Sequence, residues 1–223
     1  MPDRGGNLSH REKVYRYVKD GIIAHKFLPG DMIYERALAE QLGVSRTPVR
    51  EAIQALQEDG WLMVVPRRGT MVRALKRVDI EEIIQLRKIF GCSGIRLGGK
   101  GITAQDLAYM GTLILRQKEA AKTHDVVRFM AADVALHLAF VRLGGNRRLV
   151  VLAGNFLDHF QRMGFQRLKD DEEEYRLAIE EHKSIVKALA DGDIERAEQE
   201  FINHLDHTRE VLLTYLSSNG AYP

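Results

Sequence analysis

The chain has 223 residues, of which 45% are hydrophobic, and this is enough apolar material to build a core for one large or two small domains. No apolar run approaches the roughly 20 residues needed to cross a bilayer, and residues 1–6 lack the apolar segment of a secretory signal. We therefore expect a cytoplasmic protein without a membrane anchor. The single cysteine, Cys92, excludes an intramolecular disulfide framework and a zinc site built from several cysteines.

The net charge of +2 is distributed unevenly along the chain. Residues up to Arg77 include 14 Lys and Arg against 9 Asp and Glu, whereas the remainder has 19 and 22. A basic first part and a mildly acidic second part are typical of a protein whose first part neutralises phosphates. An imbalance of this size is common, so it adds little weight by itself.

The first helix is predicted to start at Ser9, because Ser9 and Glu12 have the spacing of a capping box and an apolar stripe follows them. The segment from Leu38 to Leu62 then has the pattern of two short helices joined by a tight turn. Gly43 supplies the positive φ that a sharp helix exit requires. Ser45 is the predicted N-cap of the second helix, with its side chain accepting a hydrogen bond from the Thr47 N–H.

The second of these helices is amphipathic. One face carries Val49, Ile53 and Leu56, and the other face carries Arg46, Thr47, Arg50 and Gln54. A helix-turn-helix places the first residues of its second helix in the major groove, where Arg can pair with guanine and Thr can contact phosphate or a thymine methyl. An ordinary helical hairpin with a solvated charged face has the same spacing, and the pattern alone does not separate the two.

The residues after this helix favour DNA binding. Residues 61–65 and 70–73 have the character of strands, and the residues between them, Pro-Arg-Arg-Gly, have the character of a turn. A β-hairpin with two arginines at its tip is a poor core element but can read a minor groove or a row of phosphates. We interpret it as the wing of a winged helix.

Residues from about 11 to 72 resemble the winged helix of the GntR family of bacterial transcription regulators. The resemblance is carried by residues 28–31 (Leu-Pro-Gly-Asp), 35–39, 45–52, 60–62 and 67–70. It implies that the partner is a double-stranded DNA operator. The residues that the resemblance assigns to DNA contact are Arg36, Ser45, Arg46, Thr47, Arg50, Arg67, Arg68 and Gly69. A homodimer is expected as well, because one winged helix makes few contacts whereas a two-fold pair reads a palindrome.

The rest of the chain has little alternation and much helical spacing. We predict six helices, with approximate spans 79–98, 103–122, 125–143, 146–168, 172–190 and 193–217. Asp79 is the predicted N-cap of the first of them. The predicted fold class is therefore mainly α, with a winged helix-turn-helix domain at 1–76 and an antiparallel all-helical bundle at 77–223.

Four residues of this bundle have the spacing of a metal site. Asp133 and His137 are four residues apart, so their side chains share one face of a helix. His204 follows His182 by 22 residues, which brings the two to similar height on antiparallel neighbouring helices. Each histidine by itself is more typical of a surface or hydrogen-bonded core residue. Together they would supply one carboxylate oxygen and three imidazole nitrogens to zinc, nickel, manganese or iron.

The bundle resembles the FCD ligand-binding domain of the FadR-type branch of the GntR family. In that domain an aspartate and a histidine on one helix and two later histidines hold a divalent metal, which implies a cofactor at Asp133, His137, His182 and His204, with zinc as our first choice. The resemblance also implies a pocket arginine at Arg87 that pairs with a small carboxylate effector. Asn155 is predicted to line the same cavity.

The sequence departs from this family pattern near Gly91, where a glutamate is usual, and near Gly98 and Gly99, where alanines are usual. Because each glycine weakens a helix by about 1 kcal/mol relative to alanine, we expect a loosened or kinked helix there.

Two classes of function fit these patterns. The first is a ligand-responsive transcription regulator, acting as repressor or activator, in which the effector changes the placement of two winged helices. The alternative is a metal-dependent hydrolase fused to a DNA-binding head. A hydrolase needs an acid or base near the metal-bound water, and Glu181 points roughly 100° away from His182 around its helix. The sequence therefore favours the regulator.

Overall fold

The computed structural model describes residues 8–168 and 172–218, apart from the side chains of residues 155 and 165–167. The chain divides into two compact units, of which the first ends at Leu75 and the second begins at Lys76. Within the described residues, no helix combines the length and the apolar character that a membrane span requires.

The first unit consists of three helices and a small sheet. Its elements are α1 (His10–Ile23), β1 (Met32–Ile33), α2 (Glu35–Leu42), α3 (Arg46–Glu58), β2 (Leu62–Val65) and β3 (Gly69–Val72). The sheet is antiparallel with the order β1-β3-β2, and its register places Leu62 opposite Val72. The two-residue strand β1, which pairs Met32 with Met71, was not predicted because it is too short to show a period.

The capping box predicted for α1 is present: the Glu12 N–H donates to Ser9 Oγ at 3.2 Å and the Ser9 N–H donates to Glu12 Oε2 at 2.9 Å. The α3 prediction was wrong in one detail. Ser45 occupies the N-cap position, but its side chain makes no capping hydrogen bond with Thr47. The start of α3 is exposed, so solvent can satisfy its first N–H groups.

The core of the first unit forms where α1 packs on α3 and α3 packs on β2. Its fully buried side chains include Val14, Val18, Ile22, Val49, Leu56, Trp61 and Val72. The apolar face of α3 is therefore buried, and its polar face remains exposed.

The described part of the second unit contains six α-helices and a short 3-10 turn at Gly99–Gly101. The helices are α4 (Arg77–Gly98), α5 (Ala104–Lys122), α6 (Val126–Leu143), α7 (Arg147–Leu168), α8 (Glu172–Ala190) and α9 (Ile194–Ser218). The predicted fold class is confirmed, and each predicted span agrees with the structure to within two residues. The main packings are α5 on α6, α4 on α9 and α8 on α9.

The start of α4 differs from the prediction. Its N-cap is Lys76 rather than Asp79, and the Asp79 carboxylate instead accepts the Lys76 N–H at 2.7 Å from the third position of the helix. A carboxylate inside the first turn satisfies an exposed donor and interacts favourably with the helix dipole, so the helix begins earlier.

The glycines of α4 do not interrupt the helix, which is continuous to Gly98. They permit close packing instead. A Cβ on Gly94 would lie 2.1 Å from the Phe140 carbonyl oxygen, and a Cβ on Gly98 would lie 1.7 Å from that of Leu143. The α4 backbone therefore rests directly on the backbone at the end of α6. Cys92, on the same helix, is buried, and burial raises the pKa of its thiol to about 11.

We expect Gly94→Ala to destabilise the second unit by about 1–3 kcal/mol or more, because the added Cβ meets a backbone carbonyl that moves only if α6 moves. The matched control is Gly111→Ala on α5, where an added Cβ has no neighbour within 4 Å and the helix gains about 0.5–1 kcal/mol. Equilibrium urea unfolding measures both. Equal stability of the two variants would contradict the close packing.

Candidate metal centre and nucleic-acid interface

Four polar side chains converge inside the bundle. Asp133 and His137 lie on α6, His182 lies on α8 and His204 lies on α9, and one potential ligand atom of each falls within 4.8 Å of the others. We call these four residues the Asp-His cluster. All four are buried, and the His137 ring packs against phenylalanines of α6, α7 and α9.

The atoms of the Asp-His cluster that face one another are the imidazole Nε2 atoms and the carboxylate oxygens. His182 Nε2 lies 3.3 Å from His137 Nε2 and 3.5 Å from Asp133 Oδ1. His137 Nε2 lies 3.8 Å from Asp133 Oδ2. Nitrogen and oxygen atoms bonded to one zinc ion at about 2.0–2.2 Å lie roughly 3–3.5 Å apart, so this spacing suits a shared divalent ion.

The donor chemistry fits a metal as well. Two imidazole nitrogens that face each other at 3.3 Å can share at most one proton, whereas a divalent ion accepts a lone pair from each. The buried carboxylate of Asp133 would offset part of the ion's charge. The donor set could therefore hold a divalent metal, and any of several ions would suit it.

Two residues outside the Asp-His cluster bond to the outer nitrogens of its histidines. His182 Nδ1 lies 3.0 Å from Gln117 Oε1, and His204 Nδ1 lies 2.7 Å from Glu181 Oε2. Sequence reasoning missed both roles. Gln117 has no charge and no motif to mark it. Glu181 is considered above as a possible base, but its position one residue before His182 hides its contact with α9.

His207 lies farther from the Asp-His cluster and contacts Glu181 and Glu174. Its Nδ1 is 2.7 Å from Glu181 Oε1 and its Nε2 is 3.5 Å from Glu174 Oε1. One turn of α9 thus separates a histidine that faces the cluster, His204, from one that faces only carboxylates. Of the two, His204 is therefore the candidate ligand.

Arg87 reaches the Asp-His cluster from α4. It is buried, with its Nη2 3.5 Å from Asp133 Oδ2 and its guanidinium carbon 3.1 Å from the centre of the Phe160 ring. A guanidinium against an aromatic face is a favourable contact. Asn155, the other predicted effector contact, belongs to α7, but its side chain lies outside the described residues.

A small cavity lies beside Arg87 and His137. Its volume is about 20 Å³, which is room for roughly one water molecule. The remaining wall is largely apolar and includes Phe90, Phe156 and Phe201. The Phe201 ring lies 2.2 Å from the point where a Cβ on Gly91 would stand, so it fills the space that a side chain at position 91 would occupy.

Three ion pairs fasten α9, which carries His204, to α4. They join Arg96 to Glu198, Lys88 to Asp206 and Arg209 to Glu81. The hydrogen bonds from Arg209, one of them 2.7 Å long, hold the pKa of the Glu81 carboxyl below its ordinary value.

The predicted nucleic-acid interface is on the first unit. The residues at the start of α3 are exposed, with 61% of the Arg46 side chain and 62% of the Arg50 side chain accessible to solvent. Glu35 of α2 lies between the two arginines, with its Oε2 2.8 Å from Arg50 Nε and 3.7 Å from Arg46 Nη2. Thr47 is exposed beside them.

The other predicted contacts lie on α2 and on the wing. Arg36 is 82% exposed and pairs with Glu40 at 2.8 Å. Arg67, Arg68 and Gly69 are exposed at the turn between β2 and β3, and Arg67 adopts a positive φ of 64°. Sequence reasoning missed the bond that ties the wing to α3, from Gln57 Nε2 to Thr70 Oγ1 at 3.1 Å.

Comparison with protein families gives two matches. The model described as bacterial regulatory proteins of the gntR family matches residues 10–72, and the FCD domain model matches residues 82–207, more than half of the chain.

Individual proteins agree with these matches. The Nta operon transcriptional regulator of Aminobacter aminovorans is 31% identical over 169 residues, which cover 76% of this chain and 78% of that protein. The HTH-type transcriptional repressor RspR of Escherichia coli is 22% identical over 212 residues, covering 94% of this chain and 91% of that protein. A solved GntR regulator from Rhodococcus sp. RHA1 is 26% identical, covers 97% of this chain and 100% of its own, and superposes with a TM-score of 0.81.

These relatives are transcription regulators, which supports the regulator over the hydrolase alternative. Within the described residues, Glu181 faces His204 and His207 from outside the Asp-His cluster. This chain belongs to the GntR family of bacterial regulatory proteins, as a DNA-binding transcription regulator with a C-terminal FCD domain.

Proposed function

We propose that this regulator is a cytoplasmic homodimer that binds a palindromic operator and responds to a small carboxylate held at a divalent metal. Residues 1–76 form the DNA-binding domain and residues 77–223 the effector-binding and dimerisation domain. The observation that carries the proposal is the buried Asp-His cluster, because three imidazoles and a carboxylate converge on one point inside a domain that binds effectors.

The proposed metal ligands are the four residues of the Asp-His cluster. Zinc is our first choice because imidazole nitrogens and a carboxylate oxygen are its ordinary ligands, and nickel, manganese and iron are the alternatives. The metal would supply a positive charge and an open coordination position for an oxygen of the effector. Arg87 and Asn155 are the proposed effector contacts, with the Arg87 guanidinium suited to a carboxylate.

The small cavity explains how binding would be coupled to DNA affinity. A space of about 20 Å³ does not admit a carboxylic acid without movement of the surrounding side chains. The effector would therefore favour an arrangement of the bundle with displaced side chains, and it can change operator affinity by no more than its affinities for the two arrangements differ.

The proposed DNA contacts lie at the start of α3, on the wing between β2 and β3, and on α2. They are Arg36, Ser45, Arg46, Thr47, Arg50, Arg67, Arg68 and Gly69. These contacts are supported by the exposure of the residues to solvent. The ion pairs that Arg46 and Arg50 make with Glu35 lie at the surface and are worth about 0–1 kcal/mol. They would therefore exchange readily for contacts with phosphates or bases.

We expect Arg50→Ala to weaken specific operator binding by about 1–3 kcal/mol for each half-site, because a base or phosphate contact is lost at both heads of the dimer. The measurement is a gel shift on a duplex that the wild-type protein has selected from a random pool. Arg142→Ala, an exposed arginine at the end of α6, is the matched control and should bind like the wild type.

Far-UV circular dichroism of Arg50→Ala should match that of the wild type, since the side chain is exposed and packs in no core. Undiminished sequence-specific affinity of the folded variant would remove α3 from the recognition surface.

We expect the purified wild-type chain to hold about one divalent ion per protomer and His182→Ala to hold far less, because the variant removes a central nitrogen of the cluster. Elemental analysis after dialysis against metal-free buffer measures both. His10→Ala, which changes an exposed histidine at the start of α1, should keep the wild-type stoichiometry. Equal metal content in the wild type and His182→Ala would exclude His182 as a ligand.

A further inference from the structure

Gln117 bonds to two members of the Asp-His cluster at once. Its side chain is fully buried on α5, with its Oε1 3.0 Å from His182 Nδ1 and its Nε2 3.4 Å from Asp133 Oδ1. It therefore links α5 to a residue of α6 and to a residue of α8. None of the four cluster residues lies on α5.

The carboxylate of Asp133 determines which way the Gln117 amide points. A carboxylate accepts hydrogen bonds, so the NH₂ group of the amide faces Asp133 and the oxygen faces His182. An amide oxygen accepts only, so His182 must carry its proton on Nδ1. The lone pair of His182 Nε2 is then directed at His137 and Asp133, into the centre of the cluster.

Glu181 does the same for His204 from the opposite side. Its Oε2 accepts from His204 Nδ1 at 2.7 Å, which leaves Nε2 of His204 as the nitrogen available inside the cluster. Its other oxygen, Oε1, lies 2.7 Å from His207 Nδ1, and His207 Nε2 lies 3.5 Å from Glu174. The carboxylate of Glu181 is thus held at both oxygens and cannot rotate without breaking a bond.

We propose that Gln117 and Glu181 are positioning residues of the metal centre: each fixes the tautomer and ring orientation of one histidine, so that Nε2 of His182 and Nε2 of His204 face a bound divalent cation. The inference rests on the proposed metal function of the Asp-His cluster. It adds two residues that would not bind the metal themselves but that bond to its proposed ligands and set how tightly a metal is held.

The two positioning residues differ in charge, so they affect their histidines differently. Gln117 is neutral and adds no anion beside Asp133. Glu181, in contrast, places a carboxylate against Nδ1 of His204, which makes Nε2 of that imidazole a stronger electron-pair donor to a metal. Since Glu181 also bonds to His207 on the partly exposed side of α9, the environment of His204 extends to the protein surface.

The test is the Zn²⁺ affinity of the full-length protein, measured by competition with a chelator of known affinity. Loss of such an outer hydrogen bond weakens metal binding by about 10–100-fold, and we expect this for Gln117→Met and for Glu181→Ala. Glu181→Gln keeps one acceptor oxygen and should fall between Glu181→Ala and the wild type. The matched controls are Gln105→Met on α5 and Glu180→Gln on α8, which alter exposed neighbours and should leave the affinity unchanged.

The melting temperature of each metal-stripped variant separates positioning from packing. A purely structural role would lower the metal-stripped melting temperature and leave Zn²⁺ affinity within twofold of the wild type, and that result would overturn the role of the residue concerned. The positioning role predicts a lower Zn²⁺ affinity and a metal-stripped melting temperature close to that of the wild type. If Gln117→Met does not fold, Gln117→Leu replaces it, since it also removes the acceptor for His182 and the donor to Asp133, and the same loss of Zn²⁺ affinity is expected.

Zn²⁺ binding by the wild-type protein separates the proposed metal function from the proposed roles of Gln117 and Glu181. A wild-type chain that takes up no Zn²⁺ contradicts the proposed metal function itself. A wild-type chain that binds Zn²⁺, together with unaltered affinity in Gln117→Met and Glu181→Ala, leaves the metal centre in place and overturns only the inference about its positioning residues.

Discussion

The second unit depends on the burial of one carboxylate and three imidazoles in a bundle whose core is largely apolar. Transfer of a carboxylate out of water costs several kcal/mol unless charges and hydrogen bonds replace its hydration. The bundle provides partners for Asp133 from four helices: Arg87 from α4, Gln117 from α5, His137 from α6 and His182 from α8. The helices can therefore pack only in a register that brings these groups together, and the apolar contacts fill the space that remains.

The close approach of α4 to α6 follows from the same constraint. Arg87 reaches Asp133 only if its helix lies near α6, and the glycines at 94 and 98 allow the two backbones to touch. The ion pairs between α4 and α9 then hold the helix of His204 against the same element. A glycine at 91 admits the Phe201 ring, which leaves only a water-sized cavity beside the cluster. Tight packing here leaves no open receptacle, so the proposed effector would bind only if the surrounding side chains moved.

Much of this arrangement could be predicted from spacing, because helical periodicity reports which residues share a face. The four-residue interval from Asp133 to His137 and the 22-residue interval from His182 to His204 predicted each pair, and the family resemblance joined the two pairs into one site, where the structure brings all four side chains together. What the sequence did not reveal depends on contacts between helices. Gln117 lies in no motif, and its role exists only because α5 packs on α6 and α8. The glycines of α4 have a low helix propensity, which the sequence shows. Their favourable close packing against α6 is visible only in the structure.

Burial decides what each arginine–carboxylate pair does in this protein. Arg87 and Asp133 are almost completely enclosed, so neither can lose its partner without leaving a charge in an apolar interior, and the pair constrains the fold. Arg50 is exposed and Glu35 is partly exposed, so water can replace either partner at little cost. In the proposed DNA contact, Arg50 would exchange Glu35 for a phosphate or a guanine edge, where two hydrogen bonds in the fork geometry of the guanidinium would give specificity. The same chemical pair thus constrains the fold of the bundle, whereas in the winged helix it leaves room for the proposed recognition of DNA.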